Sequence, residues 1–124
     1  MATFDRDDML IAYMEDQDFD SSGKPKFNHG NKPTVLMIQG SFCGYCTQAK
    51  PDFVNAALSD KSVNWGTIQI DGGSSEKALI DKISPKLSNY RGVPTYIAIT
   101  PQGKIIEYDG GRDTKSILAF VKSL

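Results

Sequence analysis

The chain's two cysteines, Cys43 and Cys46, stand together in the stretch Phe42-Cys43-Gly44-Tyr45-Cys46. A pair at this spacing can close to a disulfide and reopen, exchanging two electrons with another disulfide through a mixed-disulfide intermediate. Two other uses compete with that one. As a structural staple the bond would close a ring of only four residues, which the loop-entropy argument makes worth only about 2 kcal/mol. A metal centre needs about four ligands, and two cysteines with the single His29 fall short unless carboxylates or a second chain contribute. The redox reading is therefore favoured, and His29 reads as a solvated turn residue.

Two elements must position the pair. Thr34-Val35-Leu36-Met37-Ile38-Gln39 is an apolar stretch of strand length, suited to a strand buried on both faces. Gly40-Ser41 breaks it. From Cys46 the pattern turns helical, with Ala49, Phe53 and Ala57 on one stripe, Val54 and Leu58 widening it, and Lys50 on the wet side. A helix start offers unpaired N–H groups and the positive end of the helix dipole, both of which favour a thiolate. Cys43, at or just before the first turn and facing solvent, is thus the expected nucleophile. Cys46, pointing back into the turn, is the expected resolving cysteine.

The remaining pattern supplies a sheet and its helices. Asp5 is expected to cap a surface helix with Met9, Leu10, Tyr13 and Met14 as its stripe, and residues 16–33 read mostly as turns, with a short edge strand over 24–28. Pro51 should bend the motif helix without stopping it, because apolar spacing resumes at Phe53. Residues 63–71 read as a second core strand, followed by a helix capped at Ser75 and carrying Leu79, Ile80, Ile83 and Leu87, with Pro85 opening a separate last turn. Pro94 leads straight into the strand Tyr96-Ile97-Ala98-Ile99, a placement that a cis Val93–Pro94 bond would explain. Pro101-Gln102-Gly103 turns that strand into an antiparallel hairpin with residues 104–108, and Asp113 or Thr114 caps a final helix with the stripe Ile117, Leu118, Val121 and Leu124.

At 124 residues, 40% hydrophobic and 23% charged, the chain reads as one domain with a core of its own. The expected division is a divergent helix and loop over 1–32 and a core over 33–124. A net charge of −1 argues against nucleic acid or an anionic membrane as partner, and no apolar run reaches membrane-spanning length. The first eight residues are acidic and polar where a secretory signal would be basic and then apolar. A reducing, cytoplasmic setting is expected, and there a lone Cys-x-x-Cys is more often catalytic than structural.

These motifs together resemble the thioredoxin superfamily, including the domains of protein disulfide isomerases. The aromatic residue, Cys-Gly-x-Cys and a proline five residues on are matched by Phe42, Cys43, Gly44, Cys46 and Pro51. Arg91 through Thr95 match the Arg-Gly-x-Pro-Thr signature, and Tyr108-Asp109-Gly110-Gly111-Arg112 resembles the last loop of the isomerase domains. The resemblance covers 33–124 and implies an α/β fold, a mixed central sheet of four to five strands with helices on both faces. It implies that Pro94 is a cis-proline facing the cysteines and that Arg112 modulates the pKa of Cys46. It also implies a thiol–disulfide oxidoreductase in electron transport to protein disulfides, with no cofactor, acting as a monomer and recharged by a reductase or glutathione. Phe42, Gly44, Tyr45, Val93 and Thr95 would contact the substrate. A glutaredoxin-like enzyme, which Cys-Gly-Tyr-Cys-x-x-x-Lys also resembles, and a redox-inactive binding module are the alternatives.

Two departures bear on the chemistry. Six residues before Cys43, where the family usually buries an acid, stands Met37, so Cys46 must lose its proton to water, with help from Arg112, or to another base. Tyr45 replaces the proline of thioredoxins and the histidine of isomerases. It brings no positive charge to the Cys43 thiolate, so the couple is predicted to be less oxidising than an isomerase's; equilibration against glutathione checks this, and a potential near the ~ −120 mV of DsbA would contradict it.

Overall fold

The computed structural model describes residues 10–26 and 31–124. Five strands form one sheet: β1 (Ala12–Tyr13), β2 (Thr34–Gln39), β3 (Asn64–Gln69), β4 (Thr95–Ile99) and β5 (Ile105–Tyr108), in the order β1-β3-β2-β4-β5. The β1–β3 and β2–β3 pairs are parallel, whereas β4 runs antiparallel to both β2 and β5. Three helices complete it: α1 (Gly44–Ser59), α2 (Ser74–Ile83) and α3 (Thr114–Lys122). This is the mixed, helix-flanked sheet that the sequence implied.

Side-chain alternation splits the core in two. Val35 and Met37 of β2, Trp65 of β3, and Tyr96 and Ala98 of β4 pack under α1 and α3 with Cys46, Phe53, Ala57, Ile117 and Val121. Leu36, Ile38, Ile68, Ile97 and Ile99 pack on the other face with Leu79, Ile80 and Ile83 of α2. Phe53 joins the layers beneath α1. Its ring meets Trp65 edge-on at 5.3 Å and lies 5.9 Å from Tyr96, whose ring in turn meets Tyr108 edge-on at 6.1 Å.

The helix α1 runs unbroken through Pro51, as the resumed spacing at Phe53 implies. Leu58 is an exception to its stripe and is exposed. The hairpin turn places Gly103 at φ +91°, a conformation that costs glycine little, and the Gly103 N–H donates to the Thr100 carbonyl at 2.9 Å. Gly66 serves a different need. A Cβ there would come within 3.0 Å of the Met14 and Leu36 side chains, so the residue lets β3 lie close against its two neighbours.

Several boundaries differ from expectation. The helix expected up to Met14 is, in its described part, the short strand β1. The open edge of β3 supplies backbone partners that override the helical spacing, Met14 N–H donating to the Thr67 carbonyl at 2.9 Å, while Ile11 and Met14 are buried instead of lying at the surface. Residues 1–9, with the expected cap Asp5, and 27–30, with His29, lie outside the described residues. Of the edge strand expected over 24–28, the described residues 24–26 show an isolated bridge from Pro25 to Phe19. The second helix is capped at Gly73, not Ser75, because the Gly73 carbonyl already accepts from Glu76 and Lys77 N–H. Asp113, not Thr114, caps α3, and Leu124 lies beyond its end and is exposed. Pro85 does begin a separate turn, the 3-10 helix Ser84–Lys86.

Phe53 fills the space where α1 meets β3 and β4, so Phe53→Ala should lower stability by about 3–5 kcal/mol, read from urea denaturation of the oxidised protein.

Candidate active site

The carboxyl end of β2, the central strand, delivers the chain to the motif at one end of the sheet. After Gln39 the backbone turns through Gly40 and Ser41, Cys43 N–H donating to the Gly40 carbonyl at 3.2 Å. Cys43 is the N-cap of α1, with an extended backbone, and its Sγ accepts a hydrogen bond from Cys46 N–H at 3.0 Å. A sulfur therefore fills the capping place that serine or aspartate often takes. The Cys43 carbonyl accepts from Thr47 N–H at 3.1 Å and from its hydroxyl at 3.3 Å, which closes the first turn.

Cys43 and Cys46 form a disulfide with their Cα atoms 5.2 Å apart. Cys43 keeps 8% of its surface exposed and Cys46 none. Cys43, expected to face solvent, is thus largely covered, because the Val93–Pro94 loop packs against its sulfur; it still keeps more exposed surface than Cys46. On either side, Phe42 and Tyr45 are each 69% exposed, an unusual surplus of aromatic surface beside one bond.

The loop before β4 closes the site from the side. The Val93–Pro94 peptide is cis, and the Val93 carbonyl oxygen lies 3.6 Å from Cys43 Sγ. Pro94 is buried, Val93 and Thr95 are partly exposed, and the Thr95 hydroxyl donates to the Gly92 carbonyl at 2.5 Å. A cavity of about 300 Å³ opens beside this loop, with Arg91, Val93, Pro94, Tyr96, Tyr108 and Arg112 among its lining. Arg112 is exposed, and its guanidinium carbon sits 5.9 Å from the centre of the Tyr45 ring. Its loop is fixed by Tyr108, whose hydroxyl donates to the Gly111 carbonyl at 2.7 Å. Asp52 of α1 accepts from Thr114 N–H and hydroxyl at 3.1 and 2.6 Å, tying that loop's far end to the motif helix.

Thus Phe42, Cys43, Gly44, Tyr45, Cys46, Val93, Pro94, Thr95 and Arg112 gather at one end of the sheet. Met37 is fully buried in the core beneath α1, with Tyr96 opposite it on β4. Burial pushes the Tyr96 phenol up to about 12, with the Arg112 charge pulling it partly back.

Sequence reasoning missed Asp71, which follows β3. Its carboxylate accepts from the Ser41 hydroxyl and from Ser41 N–H at 3.0 Å, lashing the turn before Cys43 to the neighbouring strand. The Ser41 hydroxyl first, and then its N–H, hold this carboxyl below the ordinary range. Desolvation lowers the Lys50 ammonium on α1, against the pull of Asp71. An Asp-Gly-Gly at the end of a strand signals only a turn, so nothing in the sequence linked Asp71 to Ser41. Among the described residues no cluster of three or more His, Cys, Asp or Glu could hold a metal, and no helix is long and apolar enough to cross a membrane.

Comparison with known proteins gives the following. No family model matches the chain. "Putative thioredoxin-like protein 453L" of Invertebrate iridescent virus 6 is 35% identical over 132 residues, covering 90% of this chain and 91% of that protein. The protein disulfide-isomerase of Zea mays is 29% identical over 97 residues, 73% of this chain but 17% of that much longer protein. Among solved structures, the J-Trx1 fragment of ERdj5 superposes with a TM-score of 0.71 at 18% identity, covering 95% of this chain and 53% of that one. The short form of thioredoxin f from spinach chloroplast gives 0.59 at 20% identity, covering 76% and 77%.

Because Asp71 titrates lower in the folded protein than unfolded, its contribution to stability is present above the unfolded carboxyl value of about 3.9 and fades as pH falls through the lower folded value. Asp71→Asn should therefore lower the urea midpoint at about pH 7, with the gap to the parent protein closing as pH falls through the lower folded value.

Proposed function

The chain belongs to the thioredoxin superfamily and is a thiol–disulfide oxidoreductase, and from that premise we propose that its Cys-Gly-Tyr-Cys dithiol exchanges disulfides with protein substrates. The observation that carries the proposal is the capping of α1 by Cys43, whose sulfur receives the Cys46 N–H at the positive end of the helix and which keeps a small exposed fraction where Cys46 has none. Once the disulfide is reduced, the same N–H and the helix dipole favour a thiolate on Cys43.

The Cys43 thiolate attacks one sulfur of the substrate's disulfide, forming a mixed disulfide and expelling the other substrate sulfur as thiolate. Cys46 loses its proton and attacks Cys43 Sγ. The second substrate sulfur leaves, and the Cys43–Cys46 bond reforms. The substrate gains two electrons and, from solvent, two protons; the protein loses the same.

Exposed Phe42 and Tyr45 favour an extended protein segment over a small thiol, because they offer apolar surface on both sides of the bond. The chain of such a segment would run along Val93 and Thr95 in the manner of an added strand, with Gly44 leaving room above the helix start and the cavity beside Pro94 taking a side chain. Pro94 shapes that loop. Arg112, stacked near Tyr45, is within reach of the site's rim and lends positive charge as Cys46 ionises. We read the protein as a cytoplasmic monomer in electron transport, recharged by a reductase or glutathione. Supporting this, both cysteines are spent on the exchange pair and none on scaffolding.

Reduction of insulin disulfides by dithiothreitol should be accelerated by the parent protein, with Cys43→Ser returning the rate to background. Cys46→Ser should instead accumulate a mixed disulfide with insulin, seen on a non-reducing gel. Equal activity in the parent and Cys43→Ser proteins would defeat the proposal.

A further inference from the structure

Two side chains in the core beneath the disulfide carry polar atoms that the oxidised protein does not use. Gln39 is fully buried, and neither Oε1 nor Nε2 of its amide has a hydrogen-bond partner among the described residues; the same holds for the hydroxyl of Tyr96, which is 4% exposed. Buried polar side-chain atoms with no partner in the protein are uncommon in folded proteins. By the alternation of β2, Gln39 follows Val35 and Met37 on one face, and those two residues share a core with Cys43, Cys46 and Tyr96. Tyr96 lies opposite Met37 in the β2–β4 pair, and Gln39 is two residues nearer the motif, at the last position of its strand. An apolar side chain would fill either place without leaving a polar atom unpartnered.

Opening the disulfide changes what this core can offer. The sulfur of Cys46, bonded covalently to Cys43 and fully buried in the oxidised protein, becomes a thiol or thiolate able to accept a donated hydrogen. We propose that Gln39 is a redox-positioning residue: its buried amide N–H partners the Cys46 sulfur in the reduced protein, with the Tyr96 hydroxyl as a second donor. The proposal rests on the reading of the pair as an exchange couple and adds what sets its balance. In reaction with glutathione, two glutathione thiols give up two electrons and two protons and become glutathione disulfide, and Cys43 and Cys46 end as thiols. The amide keeps its hydrogens throughout and only orients them. A partner gained on reduction alone stabilises the reduced form, so Gln39 raises the potential.

The test is the equilibrium of the purified protein with mixtures of reduced and oxidised glutathione, read by thiol trapping. Gln39→Met keeps the length and approximate volume of the side chain and removes both polar atoms. It should lower the equilibrium constant for reduction by about 10-fold, equivalent to about 30 mV towards the reducing side. Tyr96→Phe should shift it the same way by a smaller factor. A shift of this sign in Gln39→Met upholds the proposal, and Gln39→Leu takes its place if that variant does not fold. A purely structural amide, satisfied equally in both redox states, would alter the melting of both forms together and leave the equilibrium unmoved. An unmoved equilibrium in the folded Gln39 variant, or a shift the other way, overturns the proposal. Failure of the parent protein to reduce insulin would count against protein substrates without touching this result, because the equilibrium is read on the two cysteines themselves.

Discussion

The first turn of α1 leaves backbone N–H groups that need acceptors, and here one of the acceptors is a sulfur. That requirement ties the chemistry to the fold. Any residue able to cap could hold the helix start, but only a cysteine placed there gains an acidic thiol from the same N–H that the helix must satisfy. The arrangement works because β2 arrives fully buried and stops at once, so that the helix begins at one end of the sheet and not inside the core. Ser41, bound through both its N–H and its hydroxyl to Asp71, fixes the turn between them. The capping bond, the turn and the strand end are therefore one mechanical unit, and the cis Val93–Pro94 loop is the wall set against it.

Much of this unit was legible in the sequence. An apolar run of six residues, a glycine, two cysteines and a helical stripe define the β2–α1 junction without reference to anything distant in the chain. The proline before β4 was similarly conspicuous, because a residue without an N–H at the start of an inner strand calls for a special backbone. What stayed hidden depends on tertiary partners. The strand β1 has helical spacing and was misread, since only the exposed edge of β3 makes extended backbone the better choice at Ala12 and Tyr13. The bond from Asp71 to Ser41 joins residues 30 apart that each read as ordinary turn formers. Gln39 was counted as the last residue of an apolar strand, and its polarity acquires meaning only from its complete burial.

The two faces of the sheet divide the work unequally. Beneath α2 the core is mainly aliphatic, with Leu36, Ile38, Ile68, Leu79, Ile83, Ile97 and Ile99, side chains that contribute burial and packing and little else. Beneath α1 the same sheet presents Trp65, Tyr96 and Met37 towards Phe53 and the two sulfurs of the helix start, with Tyr108 packed alongside. Aromatic rings hold their positions with few rotatable bonds, so a core made of them keeps its shape while a disulfide at its margin opens and closes. A core built to adapt would favour methionine and long aliphatic chains.

A rigid core of this kind also limits how the two redox states can differ. If the rings and the strand ends stay in place, the change on reduction is confined to the sulfurs and to whatever polar atoms lie within their reach, and the free-energy difference between the states is set by those few contacts. The N–H of Cys46 already serves the Cys43 sulfur in the oxidised protein, so it strengthens on reduction without being newly made. The buried sulfur of Cys46 is the one whose surroundings change in kind, from a covalent partner to none. Buried Gln39 and Tyr96 lie on the inner side of the bond, and exposed Phe42 and Tyr45 flank its outer side, so the two sulfurs stand between surroundings of different kinds.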